Sequence, residues 1–177
     1  MKSILTTIFL PLLALIASAY ISVSIPGLSI PFTAQSLVVF VVAGLLAPSH
    51  FMIVIVSYLV LGAVGAPVFA EGSSGFAKIM GNSGGFLYGF LFSGLFISFL
   101  VKKGAEVQFP RLLGVMLAAT IVLFVFGVFH LAFRLDMEKA LQFGLYPYWK
   151  MALVKAFLAT IAVFLVKRRF RPRNSRP

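Results

Sequence analysis

GAVGAPVFAEGSSGFAKIMGNSGGFLYGF, residues 62–90, lies between two apolar segments that are each long enough to enter a bilayer. In hydrocarbon every peptide N–H and C=O needs an internal partner. Irregular chain at that depth is tolerated only where protein buries it or where it lines a cavity. The stretch therefore reads as the lid and part of the wall of a ligand pocket, opening on one face of a small helical membrane protein.

Composition agrees with that reading. The 177 residues are 61% hydrophobic and 11% charged, with a mean hydropathy of +1.08, which excludes a water-soluble domain with a polar surface. The chain has no cysteine, so disulfides, thiolate metal ligands and cysteine nucleophiles are excluded. His50 and His130 are the two imidazoles; they fall in different segments with no carboxylate at ligand spacing, so no metal site is expected. Ser57 and His130 come from different apolar segments with no third group to orient them, and no catalytic constellation is legible. The net charge of +11 is gathered in clusters beside apolar runs. That pattern offers no continuous basic face for nucleic acid and points to a lipid bilayer as the partner.

The apolar runs predict one all-α, polytopic domain over 1–177, with six transmembrane helices at about 4–25, 32–47, 51–64, 85–101, 112–133 and 149–166. The pocket is expected near the outer face. Within the first run Ala17-Ser18-Ala19 would also suit a signal peptidase, but the apolar run continues past it, and a retained helix is the simpler expectation. Ala14, Ser18 and Ser22 recur every four residues, a small-residue stripe that permits either close approach of a partner helix or packing within the bundle. Gly81, Gly85, Gly89 and Ser93 form a second such seam. Residues 48–50 read as a turn, and 135–148 as a mixed loop with one amphipathic turn.

Lys2, Lys102, Lys103, Arg111 and the basic tail from Lys167 to Arg176 fall on one side of a six-span topology. By the positive-inside rule that side is cytoplasmic, so both termini are expected in the cytoplasm and residues 62–84 outside. Tyr146, Tyr148 and Trp149 are expected at the outer interface, where amphipathic rings are favoured. Lys155 breaks the pattern, six positions into the last helix and so about 9 Å along it from Trp149. Its stem can snorkel towards the headgroups. The alternative is that it faces the bundle interior and pairs with an anionic ligand, since no carboxylate lies in the apolar segments.

Four motifs carry a family resemblance. They are Pro31-Phe32-Thr33 with Gln35; Tyr58 followed by Gly62, Gly65 and Pro67-Val68-Phe69; Gly81 with Ser83-Gly84-Gly85-Phe86 and Gly89-Phe90; and Pro147-Tyr148 with Lys155-Ala156. In order and spacing they resemble the BioY family, the biotin-binding S components of energy-coupling factor (ECF) transporters, from the second helix to the sixth. The resemblance implies a six-helix subunit of a bacterial-type inner cell membrane that binds biotin from outside. It also implies a transmembrane coupling subunit and two ATPase subunits as partners, with ATP used only there and no cofactor in this chain. The absence of a P-loop lysine motif agrees with that division. In S components the stripe of Ala14, Ser18 and Ser22 resembles the surface that docks on the coupling subunit.

The same resemblance supplies a set of candidate substrate-binding residues. Lys155 is retained for the ligand carboxylate, with Lys78 and Lys150 the next cations available. The ureido ring needs both donors and acceptors, which Gln35, Ser73, Ser74, Asn82, Ser83 and Tyr88 can offer. Asn82 reads equally as a turn residue. Phe69, Phe86 and Trp149 are expected against the apolar ring and valeryl chain. Where the family commonly has Pro-Gly-Asp ahead of the matching lysine, this chain has Lys150-Met151-Ala152, without the carboxylate. Another small vitamin-like substrate, or a membrane assembly role without a ligand, therefore remain the alternatives.

Overall fold

The computed structural model describes residues 4–24, 26–27, 30–103 and 108–170. The charges at Lys2 and over 171–176 lie outside them. The chain is helical almost throughout. A π-helical turn, Leu5–Phe9, runs into α1, Leu10–Tyr20; Pro11 has no N–H to give the carbonyl four residues back, and the ladder is wound wide just before it. The first helix was expected to reach residue 25 but ends at Tyr20. Ser22–Val23 (β1) instead pairs antiparallel with Phe32–Thr33 (β2), with Ser22 opposite Thr33 and Val23 opposite Phe32. Ala34 N–H adds a bond to the Ile21 carbonyl at 2.9 Å. The hairpin thereby satisfies backbone that would otherwise be left open at the helix end.

The second helix, α2, is Gln35–Leu45, and α3 is Pro48–Ala63. Residues 48–50, expected as a turn, form the first turn of α3, because proline is at home where a helix start needs no N–H. The glycine-rich stretch holds a 3-10 turn, Ala70–Gly72, and a short helix, α4, Phe76–Met80. Three longer helices follow: α5, Gly84–Lys102; α6, Phe109–Arg134; and α8, Trp149–Arg169. Each is long and apolar enough to cross a membrane, while Leu5–Tyr20, Gln35–Leu45 and Pro48–Ala63 are shorter apolar helices. Between α6 and α8 the expected loop contains α7, Met137–Gly144, whose N-cap Asp136 accepts from Lys139 N–H at 2.8 Å. The hydrogen bond from the Lys139 side chain, first among several local effects, holds the Asp136 carboxyl below the usual carboxylate range.

In the bundle α5 packs most extensively on α6, α6 on α8, α8 on α2, and α2 back on α5, which closes a four-helix ring. On the far side of the α2–α5 edge, α1 and α3 complete the structure. The α5–α6 seam is antiparallel and very close: a Cβ on Gly85 would lie 2.5 Å from the Phe126 carbonyl oxygen, and one on Gly89 would lie 2.8 Å from Leu123. Of the four seam residues, Gly81 precedes the helix. Buried hydroxyls inside the helices turn to their own backbone: Ser93 donates to Gly89 O at 2.6 Å, Thr120 to Met116 O at 2.9 Å and Thr160 to Ala156 O at 2.7 Å. This is how a polar side chain is satisfied where no water reaches.

Candidate functional site

A cavity opens at the end of the four-helix ring where the N-termini of α2, α5 and α8 meet the C-terminal half of α6. Its atom-free space is about 740 Å³, part of it open solvent at the mouth. The walls are aromatic and aliphatic, including Phe32, Phe69, Phe86, Phe90, Phe124 and Tyr148. The glycine-rich stretch folds over one side. Phe69 swings back onto α3, 1% exposed and edge-on to Tyr58 with ring centroids 5.5 Å apart. Tyr148 leans on Phe32 at 4.4 Å, and its hydroxyl donates to the Ile30 carbonyl. Burial pushes the Tyr148 phenol up to about 12, so it stays a neutral donor at physiological pH.

Among these walls the polar groups are few, and none of the described residues lining the cavity carries a carboxylate. Lys155 reaches it from α8. Its ammonium donates to the Thr33 carbonyl at 2.6 Å and to Ser36 Oγ at 3.2 Å, so it points across to the start of α2 and does not run out along its own helix. Both acceptors are neutral. Among the described residues the one ion pair joins Lys139 and Asp136 on the surface, so the charge of Lys155 has no counterion. Lys78, from α4, is a second cation in the lining, and among the described residues its ammonium forms no ion pair. Gln35 is buried at 3% exposure; its amide N–H₂ donates to the Tyr58 hydroxyl, and the residue lines the cavity. A site of this kind suits a ligand with an apolar body, one anionic end and a small polar head.

The BioY family model matches residues 1–172. The chain belongs to the BioY family. It is 32% identical over 147 residues to the biotin transporter BioY of Thermotoga maritima, covering 82% of this chain and 86% of that one. It is 34% identical over 140 residues to the biotin transporter BioY2 of Lactococcus lactis, with 78% and 76% covered. The crystal structure of the S-component for biotin from an ECF-type ABC transporter superposes with a TM-score of 0.84 at 25% identity, covering 94% of this chain and 91% of that one. In this BioY chain Ala152, at the position where the resemblance leads one to expect an aspartate, lines the cavity. The departure thus falls on the wall itself.

Of the residues expected in the BioY pocket, Gln35, Phe69, Ser83, Phe86 and Lys155 line the cavity together. Ser73, Ser74, Asn82, Tyr88 and Trp149 are not in the lining. Ser73 Oγ donates to Ala70 O at 2.6 Å and closes the 3-10 turn. Asn82 Oδ1 accepts from Arg134 Nε at 3.1 Å. The Tyr88 ring stands against His130 at 5.9 Å. Trp149, 44% exposed, carries the Lys150 ammonium 5.7 Å above its ring, so neither is in the wall. The aromatic that does enter is the preceding residue, Tyr148. Lys78, named above as a further cation, lines the cavity, and so does Ser36, which the polar pattern did not single out. Of the α1 stripe, Ala14 is exposed, Ser18 is buried with its hydroxyl on Leu15 O at 2.7 Å, and Ser22 lies beyond the helix in β1. The three do not form one exposed face, because Ser18 is turned inwards and the helix ends before Ser22.

Proposed function

We propose that this protein is the substrate-binding membrane subunit of a biotin uptake transporter, capturing biotin from outside and delivering it through an ATP-driven ECF complex. The observation that carries the reading is the cavity. It offers an uncompensated ammonium at Lys155, an aromatic wall and a buried amide, in a chain of the BioY family. Lys155 takes the carboxylate, Phe69, Phe86 and Tyr148 pack on the ring and chain, and Gln35 and Ser83 meet the ureido head. Titration of the detergent-purified protein with labelled biotin tests the reading. Saturable binding that biotinamide competes for less well supports it. Binding of a different small vitamin with biotin excluded would change the substrate, and binding of neither would leave an assembly role.

The energy comes from partner subunits, a coupling subunit and two ATPases, and this chain uses no cofactor. Docking on the coupling subunit falls to the exposed face of α1 around Ala14. Ala14→Trp is expected to abolish co-purification with the coupling subunit while ligand affinity stays within about twofold; loss of both together would make the face internal packing. The cavity end faces outwards, six apolar helices cross the membrane, and the end carrying Lys102, Lys103, Arg111 and Lys167–Arg169 is cytoplasmic. Because the chain has no cysteine, single replacements report without background. Ser73→Cys and Met137→Cys are expected to react with a membrane-impermeant thiol reagent in intact cells, and Lys103→Cys only after the membrane is opened. The reverse pattern would invert the orientation.

A further inference from the structure

The turn that joins α4 to α5 is held from outside by two side chains one helical turn apart on α6. Arg134 Nη1 donates to the Met80 carbonyl at 2.7 Å and its Nε to Asn82 Oδ1 at 3.1 Å, while His130 Nε2 lies 3.0 Å from the Gly81 carbonyl. Met80 ends α4, a five-residue helix, and Gly81 caps it, so a cation beside these carbonyls sits where the end of a helix favours it, although the Gly81 carbonyl also accepts from Gly84 N–H at 3.0 Å. The turn then delivers Ser83 and Phe86 to the cavity, with Lys78 on its other side. Arg134 and Asn82 themselves do not line it.

We propose that Arg134, with Asn82 and His130, is a positioning clamp for the ligand cavity. It fixes the 80–83 turn and through it the placement of Ser83 and Phe86, which the biotin-binding reading above requires. The backbone of the turn offers a second observation. Gly81 is extended, with ψ −174°, and Asn82 N–H donates no hydrogen bond among the described residues. A proline at 82 needs both, an extended residue before it and a backbone N–H with no acceptor to lose. The side-chain clamp and a proline ring are therefore alternative ways of stiffening the same turn.

The test combines Arg134→Ala, Arg134→Lys and Asn82→Pro, read by labelled-biotin affinity and by hydrogen exchange of the ligand-free protein. Arg134→Ala is expected to weaken biotin binding about fivefold, the factor equivalent to one net hydrogen bond of typical strength. Exchange should rise over residues 79–84 and not in α2 or α8. Arg134→Lys, which keeps the charge but not the fork, should fall between. Asn82→Pro in the Arg134→Ala background should restore both affinity and protection, a rescue that general destabilisation would not give. Wild-type affinity and exchange in Arg134→Ala would overturn the clamp. So would a double variant that folds but stays as weak as the single one. Should the double variant fail to fold, an exchange increase spread over the whole bundle in Arg134→Ala overturns the clamp, and one confined to 79–84 upholds it. Should the wild type bind no biotin while exchange follows the clamp, the ligand reading fails and the clamp stands.

Discussion

Lys155→Met is expected to weaken binding of biotin at least tenfold and of biotinamide much less. In the ligand-free protein the ammonium rests on the Thr33 carbonyl and Ser36 Oγ, which satisfy its hydrogen bonds but not its charge. A carboxylate entering the cavity supplies the missing counterion. A hydrogen bond to a charged group contributes about 1.5–3 kcal/mol. Truncating one partner of a buried pair costs more, about 3–5 kcal/mol, since the other charge is left without compensation. Each 1.4 kcal/mol is about one decade in Kd, so tenfold is the lower end. The amide carries no charge and loses only a neutral contact. Equal losses for acid and amide would place the carboxylate elsewhere, with Lys78 the remaining cation in the wall.

The second large effect is expected at Gly62, where a single methyl should damage both stability and binding. In an ordinary exposed helix, glycine to alanine stabilises by about 0.8–1 kcal/mol. Here the added Cβ would fall 2.0 Å from Phe69 Cζ and within 2.5 Å of two neighbouring ring carbons. The ring cannot yield freely, because it is fully buried and stands edge-on to Tyr58, which in turn holds Gln35. Overpacking of this kind costs about 1–3 kcal/mol, which outweighs the propensity gain. Gly62→Ala is therefore expected to lower the melting temperature in detergent and to weaken ligand binding, since Phe69 and Gln35 both line the cavity. Adding Phe69→Leu should recover the melting temperature but not the affinity. A Gly62→Ala protein as stable and as tight as the parent would mean that the ring is not lodged against α3.

Much of the architecture was legible beforehand because it depends on local composition. The apolar runs located the long helices among the described residues, the glycine-rich stretch lines a cavity as expected although it also holds α4 and the first turns of α5, and the motifs identified the family. What was not legible depends on phase or on distant partners. Trp149 and Tyr148 are adjacent and chemically alike, and only the rotation of α8 relative to α2 decides which meets Phe32. Asn82 offers the same groups to a ligand as to Arg134, 52 residues away, and nothing local chooses between them. The end of α1 at Tyr20 is set by strand pairing with Phe32–Thr33, which the apolar run through 21–24 does not reveal. Ser36 needed only the helical register of Gln35, its neighbour in the first turn of α2.

The directional bonds of the molecule are unevenly distributed. Side-chain bonds between different elements gather around the mouth: Tyr20 to Pro67, Ser24 to Glu71, Tyr148 to Ile30, Lys155 to Thr33, and Arg134 to Met80. Deeper in the helices the hydroxyls of Ser93, Thr120 and Thr160 bond within their own helix, and contact with neighbours there is a matter of shape. Sliding one helix past another at that depth breaks no hydrogen bond of these hydroxyls, whereas any shear at the mouth would break several. The molecule thus has a crown cross-linked by directional bonds above a stem held by close packing, so the groups around the cavity are tied to one another across the loops and helix ends that carry them.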